Sequence, residues 1–190
     1  MISMSAYVVA RMEFKGKKLI SILLYSTMFI PPTALTYPVY NLINRMNIYN
    51  TRSALILIYS CSGIAISFFV IKNYYDNVPK ELEDAARIDG CGYIQTWWRV
   101  IFPIARPGIM TAAVLAFLTN WNEYYWASLI IIDRNKLTVP ALLSTFTTSF
   151  RTNYNGLFSA MVIIILPPIL LYCLFSKFFV EALSGGAVKG

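Results

Sequence analysis

ELEDAARIDGCGYIQTWWRVIFPIARPG, residues Glu81 to Gly108, decides the architecture, because this acidic, glycine-containing and aromatic stretch lies between two apolar runs of membrane length. Around it the chain is 57% hydrophobic and only 13% charged over 190 residues, with a mean hydropathy of +0.58. A water-soluble domain of this size has too small a core to hide that share of apolar side chains, so composition predicts a membrane protein. The formal charge of +7 comes from Lys and Arg scattered at the ends of apolar segments rather than from a dense patch, which argues against nucleic acid as a partner. Cys61, Cys91 and Cys173 make no CxxC pair and the chain has no histidine, so neither a metal centre nor a disulfide framework is expected. Residues 2–11, ISMSAYVVAR, lack the basic leader and small-residue cleavage site of a signal peptide and read as the end of a longer helix.

A hydrocarbon core of about 30 Å takes about 20 apolar residues in a helix, since backbone groups in lipid must pair with one another. Four segments reach that length: Leu19 to about Ile43, Ala54 to Ile71, Ile109 to Ile132, and Leu157 to Val180. Ile2 to Ala10 is too short and counts as a partial helix. Pro31-Pro32 and Pro38 in the first span, and Pro167-Pro168 in the last, predict kinks whose lost hydrogen bonds are made good by neighbouring helices. Placing the segment around Lys15 and the loop from Lys72 to Arg106 on the cytoplasmic side gathers most of the 16 Lys and Arg residues there, as the positive-inside rule requires. The expected fold is an all-α polytopic transmembrane helical bundle of four full spans plus a partial N-terminal helix. It forms a single domain over residues 1–190, with a cytoplasmic helix-turn-helix loop at 73–106.

Within that loop Pro79 suits a first helical position, and Glu81, Glu83 and Asp84 follow where the helix dipole favours negative charge. Asp89-Gly90 supplies the turn, and Tyr93 to Phe102 form a second helix ended by Pro103. Leu82, Ala85 and Ala86 share one face of the first helix, where two alanines let another backbone come close. Tyr93, Ile94, Trp97, Trp98, Ile101 and Phe102 make the second helix too apolar for water on all sides. One face is expected to pack on the bundle and the other on a partner.

Glu83-Asp84-Ala85-Ala86-Arg87-Ile88-Asp89-Gly90, followed at the proper distance by Ile101-Phe102-Pro103, resembles the EAA loop of ABC-importer permease subunits. The resemblance implies that the loop forms a coupling helix seated in a groove of an ATPase subunit. Glu83, Ala85, Ala86 and Gly90 are then the coupling residues, Asp89 shapes the turn, and Pro103 closes the motif. Asp84 stands where many members carry Glu, and Cys91 where Ala is frequent; both are small changes. Asn120-Trp121-Asn122-Glu123 and the tail Ala182 to Gly190 are similar to carbohydrate importers of the maltose-permease type, whose second permease this chain resembles. Members of that type carry more spans, so the chain is expected to lack its first span and most of the second. The implied partners are two ATP-binding subunits, a second permease, an extracytoplasmic solute-binding protein, the lipid bilayer and a sugar substrate. The implied location is the inner membrane of a bacterial or archaeal cell.

Other readings stand beside this one. Glu123 lies in an apolar segment, where an ionisable side chain is expensive and marks a solute pathway with Asn120, Trp121 and Asn122, or else it caps a helix end or bonds a neighbour. Trp121, Tyr124, Tyr125 and Trp126 suit the faces of a sugar, and equally suit an interfacial aromatic belt. The loop loosely resembles a DNA-binding helix-turn-helix, but its second helix offers two tryptophans where base reading needs polar side chains. Its basic residues are too few for a lipid-surface helix. Asp133 to Asn155 reads as an external connection with a short helix around Val139 to Phe146. With no histidine, no GxSxG and no GxxxxGK[ST], the chain offers no catalytic set and no phosphate cradle, and no cofactor is expected. A membrane scaffold or truncated remnant that moves nothing is the alternative from another class, and a non-sugar solute the alternative within this one.

Overall fold

The computed structural model describes residues 1–146 and 153–187, with side chains through residue 176. Its helices, in order, are α1 (Ile2–Arg11), α2 (Lys17–Thr27), α3 (Thr36–Arg45), α4 (Arg52–Cys61), α5 (Ile64–Asn77), α6 (Glu81–Ile88), α7 (Tyr93–Ile104), α8 (Arg106–Trp121), α9 (Tyr125–Ile130), α10 (Val139–Leu143) and α11 (Tyr154–Ala187). No strand occurs among the described residues. Among the described residues only α11, over Tyr154–Ser176, is long and apolar enough to cross a membrane alone; the number is up to four if each of three bent pairs, Lys17–Thr27 with Pro32–Arg45, α4 with α5, and α7 with α8, is counted as one span. Large apolar side chains face outward along these segments, with Leu23, Phe29, Ile56 and Leu174 all exposed. The end of the tail at 188–190, and Arg151, lie outside the described residues.

Three of the four expected spans are broken helices; the first two coincide with bent pairs, whereas Ile109 to Ile132 does not, since α8 pairs with α7 instead. Pro31 is extended (φ −66°, ψ 139°) because the ring of Pro32 excludes the helical conformation from the residue before it. Pro38 makes no kink: it falls in the first turn of α3, where a missing N–H costs nothing. Between α4 and α5, Ser62 is extended and Gly63 has φ +69°, a conformation that favours glycine. Ile109 to Ile132 is divided at Asn122 to Tyr124 into α8 and α9. Pro103 does not end its helix either. Trp97–Ile101 widen into a π-helical turn in which the Phe102 N–H reaches Trp97 O, so α7 runs past the proline to Ile104.

The chain divides into two compact units. The first holds, of the described residues, 1–29, 64–115 and 175–187. Here α1 lies along α5, with Tyr7 and Val9 in one buried cluster with Phe68, Ile71 and Tyr75. The rings of Tyr7 and Tyr75 meet edge to face at 5.6 Å. The Tyr75 hydroxyl is 2.6 Å from Ser3 Oγ and accepts from Trp97 Nε1 at 3.1 Å, so α1, α5 and α7 share one polar knot. Gly108 opens α8 against the ring of Tyr74, and any Cβ there collides with that ring. α6 is tied to α1 by Arg11, whose Nε lies 2.9 Å from Glu83 Oε1, with both side chains under a tenth exposed. The Arg11 N–H is not aligned on that oxygen as a hydrogen bond, so the contact is chiefly electrostatic. Arg11 also donates to Val78 O, and the Tyr7 hydroxyl donates to Glu83 Oε2 at 3.4 Å.

The second unit holds, of the described residues, 30–63, 116–146 and 153–174. Its core gathers Ile43, Leu55, Trp126, Ile130 and Ile131. Asn50, in the left-handed region at φ 57°, accepts from Ile132 N and Asp133 N through Oδ1 at 2.9 and 3.0 Å, and its own N–H donates to Ile130 O. α11 passes through Pro167 and Pro168 without ending. Pro168 has no N–H for the carbonyl one turn back, that of Ile164, and Trp121 Nε1 donates to that oxygen at 3.0 Å instead.

Glu83→Ala leaves the Arg11 guanidinium buried and uncompensated and is expected to lower stability by about 3–5 kcal/mol, whereas the double change Arg11→Met with Glu83→Leu costs far less. Thermal unfolding of the detergent-solubilised protein ranks the variants, and equal losses in both would deny the pair its anchoring role.

Candidate functional site

The loop after α5 presents a short helix with two unlike faces. α6 carries Glu81, Glu83 and Asp84 in its first turn and Arg87 in its last, both favourable to the helix dipole. Pro79 lies just ahead of the helix rather than at its first position, and the amides of Glu83 and Asp84 close the first turn on Lys80 O. At the other end the Cys91 N–H bonds Ala86 O and the Gly90 N–H bonds Arg87 O, with Gly90 at φ +81°. This is the paired closure of a Schellman motif, and the left-handed residue it needs is supplied by glycine. Asp89 is the C-cap residue of the helix.

Burial separates the expected coupling residues into two groups. Glu83 and Ala86 point inward and are buried, while Leu82, Ala85, Ile88, Asp89 and Gly90 are exposed. Leu82 and Ala85 thus do not share the buried face with Ala86, because Glu83, paired with Arg11, takes the inward position. In α7, Ile101 and Thr96 are buried whereas Tyr93, Ile94 and Trp98 are exposed. Arg87 joins the two helices across the turn, its guanidinium carbon 5.3 Å above the Tyr93 ring centre and Nη1 3.8 Å from Asp84 Oδ1. Pro103 is partly buried inside α7, away from the exposed face.

In the second unit, Asn120 and Trp121 end α8, and both line a cavity with Tyr59. Asn122 is exposed, its amide donating to Leu118 O at 2.9 Å. Glu123 receives three hydrogen bonds: Trp126 N to Oε1 at 2.8 Å, Ala127 N to Oε2 at 3.1 Å, and Tyr59 OH to Oε2 at 2.8 Å. The carboxylate fills the open end of α9, so the helix-end reading of Glu123 describes its contacts. Tyr125 OH is hydrogen-bonded to Thr36.

Several residues that hold these sites carry no motif. Arg11 and Tyr59 look like ordinary flanking and lining residues in sequence, and only a contact across more than 60 residues reveals their partners. Asn50 alone had a local signal, since asparagine tolerates the left-handed region. Beyond it, the Asn135 backbone N–H holds the Asp133 carboxyl below the ordinary carboxylate range, aided by Lys136 and Arg52.

Residues 2–185 match the family model described as "Binding-protein-dependent transport system inner membrane component". A probable ABC transporter permease protein of Bacillus subtilis is 34% identical over 186 residues, 98% of this chain and 62% of that protein. An arabinooligosaccharides transport system permease protein of Halalkalibacterium halodurans is 33% identical over 99% of this chain and 67% of its own length. A trehalose transport system permease protein of Mycobacterium tuberculosis is 34% identical, with 99% and 69% covered. This chain thus spans about two thirds of the length of these relatives. A chain from a bacterial ABC transporter that imports the acidic polysaccharide alginate superposes with a TM-score of 0.77 at 21% identity, covering 94% of this chain and 67% of that one, and shows the fold. On the extent of the family match and the level of identity, the chain belongs to the family of binding-protein-dependent transport system inner membrane components.

Proposed function

We propose that this chain is a multi-pass permease subunit of an ATP-driven importer, working in a bacterial or archaeal inner membrane with a sugar or oligosaccharide as its solute. Its partners in this reading are two ATP-binding subunits, a second permease and an extracytoplasmic solute-binding protein. The loop at 73–106 couples ATPase motion to alternating access of the spans. One observation carries the reading: α6 is closed at its C-terminus by a Schellman turn and locked inward by Glu83 and Ala86, while an apolar face of Leu82, Ile88, Tyr93, Ile94 and Trp98 stays exposed beside it. Such a face is costly in water and is the kind of patch that a partner covers. Relatives named for arabinooligosaccharides and trehalose support a sugar as the solute.

The coupling residues then divide by task. Ala85, Asp89 and Gly90 meet the ATPase, Glu83 and Ala86 fix the helix to the spans, and Pro103 sits behind the π-helical turn that shapes the second helix. On the solute side, Asn120 and Trp121 face the pathway while Asn122 and Glu123 hold the break between α8 and α9.

Ala85→Cys, on the exposed face, is expected to crosslink to an ATP-binding subunit in intact cells; no such product at any stage of the transport cycle sinks the proposal. Gly90→Val meets open space but forces a β-branched residue into the left-handed region, at roughly 1–2 kcal/mol. It should lower uptake while ATP hydrolysis persists, and coupled uptake at the ordinary rate would count against the role of the turn. Glu123→Gln keeps one acceptor and loses the charge at the α9 terminus, so stability drops by about 0.3–1 kcal/mol with uptake kinetics unchanged. A shifted KM for solute would instead put Glu123 itself in the pathway.

A further inference from the structure

In the first unit an open groove of about 820 Å³ is walled by α2 on one side and α5 on the other. Both walls follow one pattern. On α2, Lys18, Ile22 and Tyr25 recur at spacings of four and three and so share a face; on α5, Phe69 and Lys72 do the same. The rings of Tyr25 and Phe69 stack across the groove with centres 3.6 Å apart and planes within 12°, and make its apolar end. The other end is basic, with Lys17 and Lys18 at the start of α2 and Lys72 opposite. Lys18 and Tyr25 are seven residues apart on one helix, about 10 Å of rise, so the change from charge to hydrocarbon takes place over the depth at which a bilayer makes the same change.

The charges at the basic end do not cancel. Lys17 Nζ lies 2.7 Å from Glu13 Oε1, the one carboxylate of the lining, and Lys72 Nζ lies 2.6 Å from Asp76 Oδ2, outside the lining. Lys18 is exposed and has no ion pair among the described residues, so one positive charge is left over even when Asp76 is counted. The side chains of Lys17 and Lys72 are only 26% and 24% exposed, which lays their methylene stems along the groove with the ammonium groups at its mouth. No residue of α2 is buried, so its apolar side chains wait for a neighbour. An occupant that suits both ends is apolar along Ile22, Tyr25 and Phe69 and negative at Lys18. A lipid with a zwitterionic headgroup meets the first need but brings its own cation to the lysines, whereas an anionic headgroup meets both.

We propose that this groove holds an anionic phospholipid, its phosphate at Lys18 with Lys17 and Lys72 beside it, and one acyl chain along Ile22 and the Tyr25–Phe69 stack. The inference rests on the membrane placement in the importer reading. The test uses the protein, purified with the subunits that accompany it, in phosphatidylcholine nanodiscs that carry a trace of photoactivatable lipid. Two such lipids are compared, phosphatidylglycerol and phosphatidylcholine, with the same diazirine near the start of one acyl chain. Label on the peptides that hold Ile22, Tyr25 and Phe69 is expected to favour phosphatidylglycerol about fivefold, as one lysine at the membrane surface supplies, while label on the outward residues Leu170 and Leu174 of α11 is equal for both lipids. Lys18→Gln should bring the groove to parity, and Lys18→Arg, which keeps the charge, should retain the preference. Equal groove labelling by the two lipids, or a preference that survives Lys18→Gln, overturns the site. So does a groove that takes no label while α11 does, since it assigns the groove to a protein segment. Nanodiscs leave both membrane faces open, so the result depends on neither orientation nor transport. The Ala85→Cys crosslink in intact cells then separates the two readings: a crosslink without the lipid preference removes the lipid site alone, and the preference without a crosslink removes the importer reading alone.

Discussion

A backbone N–H or C=O in hydrocarbon has no water to turn to, and each one left unpaired costs several kcal/mol. Much of this structure is an answer to that constraint at the places where the helices are interrupted. Pro168 removes the donor for Ile164 O and an indole from α8 replaces it, so a proline in one helix dictates a tryptophan's position on another. Pro103 is accommodated by widening the preceding turn. The free amides at the start of α9 are taken by one carboxylate, and those after Ile131 by one asparagine side chain.

The same constraint explains why polar side chains inside apolar segments do structural work first. Glu123 reads in sequence as either an acid on a solute pathway or a helix-end carboxylate, and its three hydrogen bonds fit the second of these.

The helical class, the existence of the loop, its two helices and the glycine turn were all legible in sequence. They rest on local signals: apolar length, acids at one helix end, and a glycine where φ must be positive. The bends were legible only in part. Pro31-Pro32 announces its break, but Pro38 and Pro103 are equally prolines, and their tolerance depends on whether they fall in a first turn or behind a π-helical one. The division between α4 and α5 turns on Ser62-Gly63, a weak signal within an apolar run. Apolarity grouped Leu82, Ala85 and Ala86 on one face of α6; the structure buries Ala86 beside Glu83 instead, because Arg11, far away in sequence, is there to meet the carboxylate. No local pattern encodes a partner 72 residues distant.

The inward place of Glu83 bears on the coupling role proposed for the loop. A helix of eight residues held only by apolar contacts would rock in its seat, since dispersion and burial are nearly indifferent to small rotations. A charge pair is not, because separating Arg11 from Glu83 exposes two charges to a site that neither solvates nor otherwise compensates them. Tyr7 reaches the same carboxylate, so α6 is held to α1 at two points within one turn of Arg11, and Arg11 also grips Val78 O just ahead of α6. α1 in turn lies along α5 and shares the Tyr75 knot with α7. α6 is thereby linked through α1 to α5 and α7, the physical connection that the proposed coupling role needs.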